Sequence, residues 1–121
     1  LVVEDHDDSR ELLRVLLLQH GADVIAVATA EDALELYQAL SYDVIVSDLC
    51  LPGQDGCALL SAVRDIERGR ERPAFAVAYS GEPPAEAWRA LRHGFDYVVC
   101  KPEMERVVAL LGHLAATLRT E

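Results

Sequence analysis

Five polar positions in this 121-residue chain have types and placements that could do chemistry together. They are the acid pair Glu4-Asp5, the isolated acid Asp48, the hydroxyl of Ser80 and the ammonium of Lys101. Each comes at the end of a short apolar run, where a strand would leave the core. Singly, each has an ordinary explanation. An acid pair after a strand can cap the next helix, a strand-end Asp can serve a turn, and a lysine before proline can be surface decoration. Gathered at one edge they are harder to dismiss. Three carboxylates within ~5 Å repel by roughly 3 kcal/mol per pair at an effective dielectric of about 20. One lysine does not offset that, so the site calls for a divalent cation. The donors are all hard oxygens with no histidine or thiol cluster beside them, which favours Mg²⁺ or Mn²⁺ over zinc. An ionised Asp beside Mg²⁺, faced by a lysine and a hydroxyl, describes phosphoryl transfer. The metal and Lys101 would neutralise the phosphoryl oxygens, Ser80 would hydrogen-bond one of them, and the Asp48 carboxylate would attack phosphorus.

The elements that must position these groups alternate along the chain. Strands are expected over residues 1–3, 23–28, 44–47, 74–79 and 97–100. Between and after them come helical patterns over 8–19, 29–40, 56–67, 84–93 and 103–118. The first helix carries Leu12, Leu13, Leu16 and Leu17 at helical spacing, with Asp7, Asp8 or Ser9 as its cap. Thr29-Ala-Glu-Asp32 is a capping-box variant. The last helix should bury Val107, Val108, Leu111, Leu114 and Ala115, and the Pro83-Pro84 pair should begin the fourth. A Pro52-Gly53 turn follows Asp48 closely, and a polar connector, "ERGRERP", precedes strand four. Near-continuous apolar strands alternating with helices imply a parallel sheet covered on both faces. Five βα units are too few for a closed barrel. The fold class is therefore α/β, an open doubly wound five-stranded parallel sheet, with residues 1–121 as one domain. Ligands of such sheets bind outside the carboxyl ends of the strands, where all five polar positions fall.

Composition narrows the function further. The chain is 51% hydrophobic and 26% charged, a globular balance, and its net charge of −10 repels phosphate backbones and anionic lipid. Direct nucleic-acid binding is not expected. No apolar run approaches the ~18 residues of a membrane span, and no signal peptide is evident. Cys50, Cys57 and Cys100 lack paired or metal-type spacing, so reduced thiols in a cytoplasmic protein are the simplest expectation. Because Leu1 already belongs to an apolar strand, the natural protein is expected to begin earlier, with further domains attached.

From "LVVEDHDDSRELL" through "SDLCLPGQDG" to "GFDYVVCKP", the chain resembles the response-regulator receiver domains of two-component signalling, the CheY-like family. That resemblance implies a sheet order of 2-1-3-4-5, Asp48 as phosphoacceptor, and Asp5 as a direct Mg²⁺ ligand. It also implies Glu4 as a direct or water-mediated ligand, the Cys50 backbone carbonyl as another, and a cis Lys101–Pro102 peptide. The implied partner is a histidine kinase or phosphotransfer protein, with a kinase or output domain fused to the chain. The "GFD…KP" ending resembles receivers of hybrid histidine kinases in particular. By the same analogy, the fourth helix, fifth strand and fifth helix would read the phosphorylated state.

Two positions depart from the family pattern. The switch hydroxyl of strand four falls on Ser80, with Ala78 as the other alignment. The position three before the lysine, usually aromatic, is Val98, and the aromatic Tyr97 lies one earlier, where its side chain should point the other way. A muted conformational response follows as an expectation. Two other functions compete: a receiver-fold interaction module that works without phosphorylation, and an aspartyl-phosphate phosphohydrolase. The latter usually needs a second acid as proton donor and a cap domain, for which this chain has no room. His6 is expected as a solvated loop residue, and His20, His93 and His113 at helix ends or faces. Cys57 should be packed, and Trp88 either anchors a partner or covers the edge of the core.

Overall fold

Apolar character on both faces of each strand is explained by two helical layers. The computed structural model describes residues 1–51, 53–70, 72–81 and 84–119, without the side chains of 54, 84–86 and 117–119. Strands β1 (Val2–Val3), β2 (Ala26–Val27), β3 (Val44–Ser47), β4 (Phe75–Ser80) and β5 (Tyr97–Cys100) form a single sheet. All pairings are parallel and the spatial order is β2-β1-β3-β4-β5, the expected doubly wound arrangement. Val2, Val46, Val77, Tyr79 and Val99 pack in one layer with residues of α1 (Asp7–Gln19) and α5 (Met104–Arg119). Val3, Ile45, Ala76 and Ala78 pack in the other, against α2 (Ala30–Ala39), α3 (Gly56–Glu67) and α4 (Pro84–Arg92). The alternation along each strand is the pleat at work.

Some boundaries differ from the expectations. The second strand was expected over 23–28, yet only Ala26–Val27 pair, because its sole neighbour β1 offers just Val2 and Val3 to pair with. His6, not Asp7, Asp8 or Ser9, holds the N-cap position of α1. It makes no side-chain cap bond, and Asp7 and Asp8 instead fill the first turn, where their charge suits the helix dipole. In α2 the Thr29 hydroxyl does accept from the Asp32 amide, at 3.1 Å. Asp55 caps α3 in the same way, accepting from the Ala58 amide at 2.7 Å. A two-stranded antiparallel ribbon, Cys50–Leu51 with Gln54–Asp55, was not anticipated between β3 and α3. On α5, Val107 and Leu114 are buried, whereas Val108, Leu111 and Ala115 are only half-buried. Trp88 is 70% exposed and so does not cover the core. Pro52 of the expected turn, Glu71 of the polar connector and Pro83 of the Pro-Pro pair lie outside the described residues.

The amino edge of the sheet is tied by a polar network. Glu67, at the end of α3, accepts from the Tyr37 hydroxyl of α2, from the Ala74 amide at 2.7 Å and from Arg64 at 2.6 Å. Arg64 also donates to the Ala74 carbonyl at 2.9 Å. Arg70 closes the C-terminus of α2 by donating to the Tyr37 carbonyl at 2.8 Å.

Candidate functional site

The carboxyl edge is assembled by ladder hydrogen bonds that continue past the ends of the strands. The Glu4 amide donates to the Val27 carbonyl at 3.0 Å and the Asp48 amide to the Val3 carbonyl at 3.0 Å, which puts the acid pair beside Asp48. On the other side the Lys101 amide donates to the Ser80 carbonyl at 3.0 Å. Carboxylate oxygens of Glu4, Asp5 and Asp48 consequently lie within 4.8 Å of one another. Glu4 and Asp48 are buried and Asp5 is exposed.

Lys101 bridges the two buried acids, its Nζ donating to Glu4 Oε1 at 2.6 Å and to Asp48 Oδ2 at 2.7 Å. The Cys50 amide donates to Asp48 Oδ1 at 3.1 Å. Glu4 Oε2 is buried with no hydrogen-bond partner among the described residues. Burial raises the Glu4 carboxyl to about 7 against the pull of the Lys101 ammonium, with Asp48 adding to the rise. Burial pushes Asp48 upward too, but the Lys101 ammonium and the Cys50 amide help to outweigh it and hold Asp48 below its ordinary value. Asp48 is thus the more acidic member of the pair. Both acids in turn raise Lys101 despite its partial burial, so the ammonium stays charged.

A divalent cation fits this set. Three carboxylates face one ammonium, the donors are hard oxygens, and a buried carboxylate oxygen lacks a partner. Glu4, Asp5, Asp48 and Lys101 are brought together as expected from the sequence. Ser80 is the last residue of β4 and is buried, whereas Ala78 lies inside the strand, paired with Ser47 and Val98. The β4–β5 ladder runs in unbroken register from Val77↔Tyr97 to Ser80↔Cys100, so no bulge reorients Tyr97. Val98 packs in the α2–α3–α4 layer, and Tyr97 stays 38% exposed. The lysine–proline peptide is cis, as the resemblance implied.

Two neighbours escaped the sequence reading. Gly56 opens α3 so close to the Asp48 carbonyl that a Cβ there would sit 2.3 Å from the oxygen. A glycine directly after a helix-capping aspartate was the available signal. Tyr79 looked like one more strand residue, yet Lys101 Nζ lies over its ring, 5.7 Å from the centroid. Its pairing with a residue 22 positions away gave no local pattern to find.

Comparison with known proteins gives the family. The family model described as "Response regulator receiver domain" matches residues 1–111. The chain belongs to that family. It is 40% identical over 84% of its length to the "uncharacterized 14.6 kDa protein in sodA1 3'region" of Leptolyngbya boryana, spanning 77% of that protein. It is 38% identical, over 99% of its length, to protein-glutamate methylesterase/protein-glutamine glutaminase 5 of Myxococcus xanthus, and 34% identical, over 90%, to sensor histidine kinase GacS of Pseudomonas protegens. It spans only 35% and 12% of those two longer proteins. Among solved structures, a CheY-like receiver domain from Methylobacillus flagellatus matches with a TM-score of 0.82 at 27% identity, covering 93% of this chain and 94% of that one. A Burkholderia pseudomallei response regulator, solved with a phosphorylated aspartic acid, calcium ion and citrate, matches with a TM-score of 0.80 at 25% identity. That match covers 98% of this chain and 69% of the other. Among the described residues, no helix is long and apolar enough to cross a membrane.

Proposed function

We propose that this receiver domain takes a phosphoryl group onto Asp48 from the phosphohistidine of a histidine kinase or phosphotransfer protein. An Asp48 oxygen attacks phosphorus, the P–N bond to the donor imidazole breaks, and the imidazole leaves with a solvent proton. Glu4, Asp5 and Asp48, with the Cys50 carbonyl, would hold Mg²⁺ or Mn²⁺, which supplies charge neutralisation to the phosphoryl oxygens when bound. Lys101 holds the acceptor carboxylate in place and carries a second positive charge to the same oxygens. Ser80 offers a hydroxyl at the neighbouring strand end. The modified side chain gains about −1.5 to −2 charge at pH 7, which pulls on Lys101 and Ser80 and shifts partner surfaces. The acyl phosphate is then lost to water.

The observation that carries this reading is the three-carboxylate cluster bridged by Lys101, with Glu4 Oε2 buried and unpartnered. The phosphorylated aspartate and calcium ion of the Burkholderia relative, on the same fold, support it. Residues 1–121 would act as one receiver unit, fused to a kinase or output domain as in the longer relatives. Cys50, Cys57 and Cys100, as thiols outside any disulfide, would suit a cytoplasmic location.

The test is incubation with acetyl phosphate and Mg²⁺, followed by intact mass measurement. A gain equal to HPO₃ that Asp48→Ala abolishes supports the assignment. A folded chain that never gains it favours a second reading, an interaction module that works without phosphorylation. That reading draws its weight from Val98 standing where the family usually has an aromatic and from the outward placement of Tyr97.

A further inference from the structure

Lys101 has three N–H donors on a flexible stem, and Glu4 Oε1 and Asp48 Oδ2 account for two of them. Both partners are acids whose availability changes if Asp48 is modified or a cation binds. The contact that would not change is aromatic. Tyr79 lies next to last in β4, is 3% exposed, and packs in the α1–α5 layer with Val2, Leu13, Val99 and Met104. Its ring presents a face to Lys101 Nζ at 5.7 Å, within the range where a ring quadrupole attracts an ammonium. Because the strand and the layer fix that ring, it is a stationary surface under a mobile cation.

We infer that Tyr79 is a positioning residue for Lys101, its ring face seating the ammonium between Glu4 and Asp48. This rests on the phosphoacceptor reading for its functional consequence. The contact itself does not. A four-carbon lysine stem otherwise samples many rotamers, and a seated ammonium has less freedom to lose when the phosphoryl group arrives. The ring, not the hydroxyl, does this, which separates the two obvious substitutions.

The first measurement is structural and needs no reaction. In the unmodified chain the Lys101 Cε protons should be shifted upfield by the Tyr79 ring current. Tyr79→Phe should keep that shift, and Tyr79→Leu and Tyr79→Met should remove it while the remaining amide spectrum stays dispersed. An unshifted Lys101 in the unmodified chain overturns the inference, whatever the variants do. The second measurement is the initial rate of adduct formation from acetyl phosphate. Tyr79→Phe should stay within about twofold of the parent, and Tyr79→Leu should slow by roughly fivefold to twentyfold. On a Lys101→Ala background, Tyr79→Leu should add nothing further. Equal slowing on both backgrounds, or loss with Tyr79→Phe, would show that Tyr79 does not act through Lys101. If the unmodified chain forms no adduct, the phosphoacceptor reading fails, and the ring-current result still judges the seat.

Discussion

Glu4 and Glu67 are two buried glutamates at opposite edges of one sheet, and they differ in what surrounds them. Their exposures are nearly equal, 3% and 7%, so burial alone does not separate them. Glu67 has a donor on each oxygen: the Tyr37 hydroxyl and Ala74 amide on Oε2, and Arg64 on Oε1. Burial pushes Glu67 up, but those donors outweigh it and hold the carboxyl below its ordinary value. Glu4 has Lys101 on one oxygen and nothing on the other, with Asp48 alongside, and it rises to about 7. A buried acid whose partners are all supplied by the chain is a structural tie. A buried acid left short of positive charge is prepared for something the chain does not supply.

Breaking the satisfied edge should have the largest effect on stability. Glu67→Leu leaves the Ala74 amide and the Tyr37 hydroxyl without their acceptor and takes from Arg64 its carboxylate partner on α3, and urea denaturation should show a loss of about 3–5 kcal/mol. The same variant should lose part of the acid limb of stability. A carboxyl held below its unfolded value contributes fully above that value, and the contribution disappears as pH falls through the lower folded one. Comparing stability at pH 7 with that below pH ~4.5 in parent and variant checks the sign. Phosphoryl uptake per folded molecule should be unchanged.

Gly56→Ala tests whether packing, too, holds the carboxyl edge. Its methyl would meet the Asp48 carbonyl, so a loss of about 1–3 kcal/mol is expected, together with slower adduct formation. A neutral result in both measurements would show that the loop yields freely.

Asp5→Asn should give the smallest change and the opposite sign. It removes one charge from the crowded cluster and, being exposed, Asp5 sacrifices little packing. Without divalent cations the variant should be more stable by about 0.5 kcal/mol. Stabilisation by Mg²⁺ should shrink with it. A less stable variant would mean that the cluster is already balanced.

The two edges were unequally legible in the sequence. Glu4, Asp5, Asp48, Ser80 and Lys101 each end an apolar strand, and parallel topology sends all those ends to one side, so local pattern plus fold class was enough to gather them. Glu67 offered no such cue. Apart from Arg64 three residues back on the same helix, its partners lie seven and thirty residues away, and one of those is a backbone amide that has no signature in sequence. Strand ends were legible to within a few residues for four of the five strands. They failed at β2, whose ladder is limited to Ala26–Val27 by the two residues of β1 that it pairs with. The first helix's cap was missed because acidic residues mark a first turn as readily as a cap, and His6 contributes only its backbone there.

The comparison between the edges reduces to one titration. Mg²⁺ added to the uniformly labelled chain should move the amide signals of Asp5, Asp48 and Cys50 and leave those of Glu67 and Ala74 where they were. Shifts at both edges, or at neither, would contradict the claim that the carboxyl edge alone is short of positive charge.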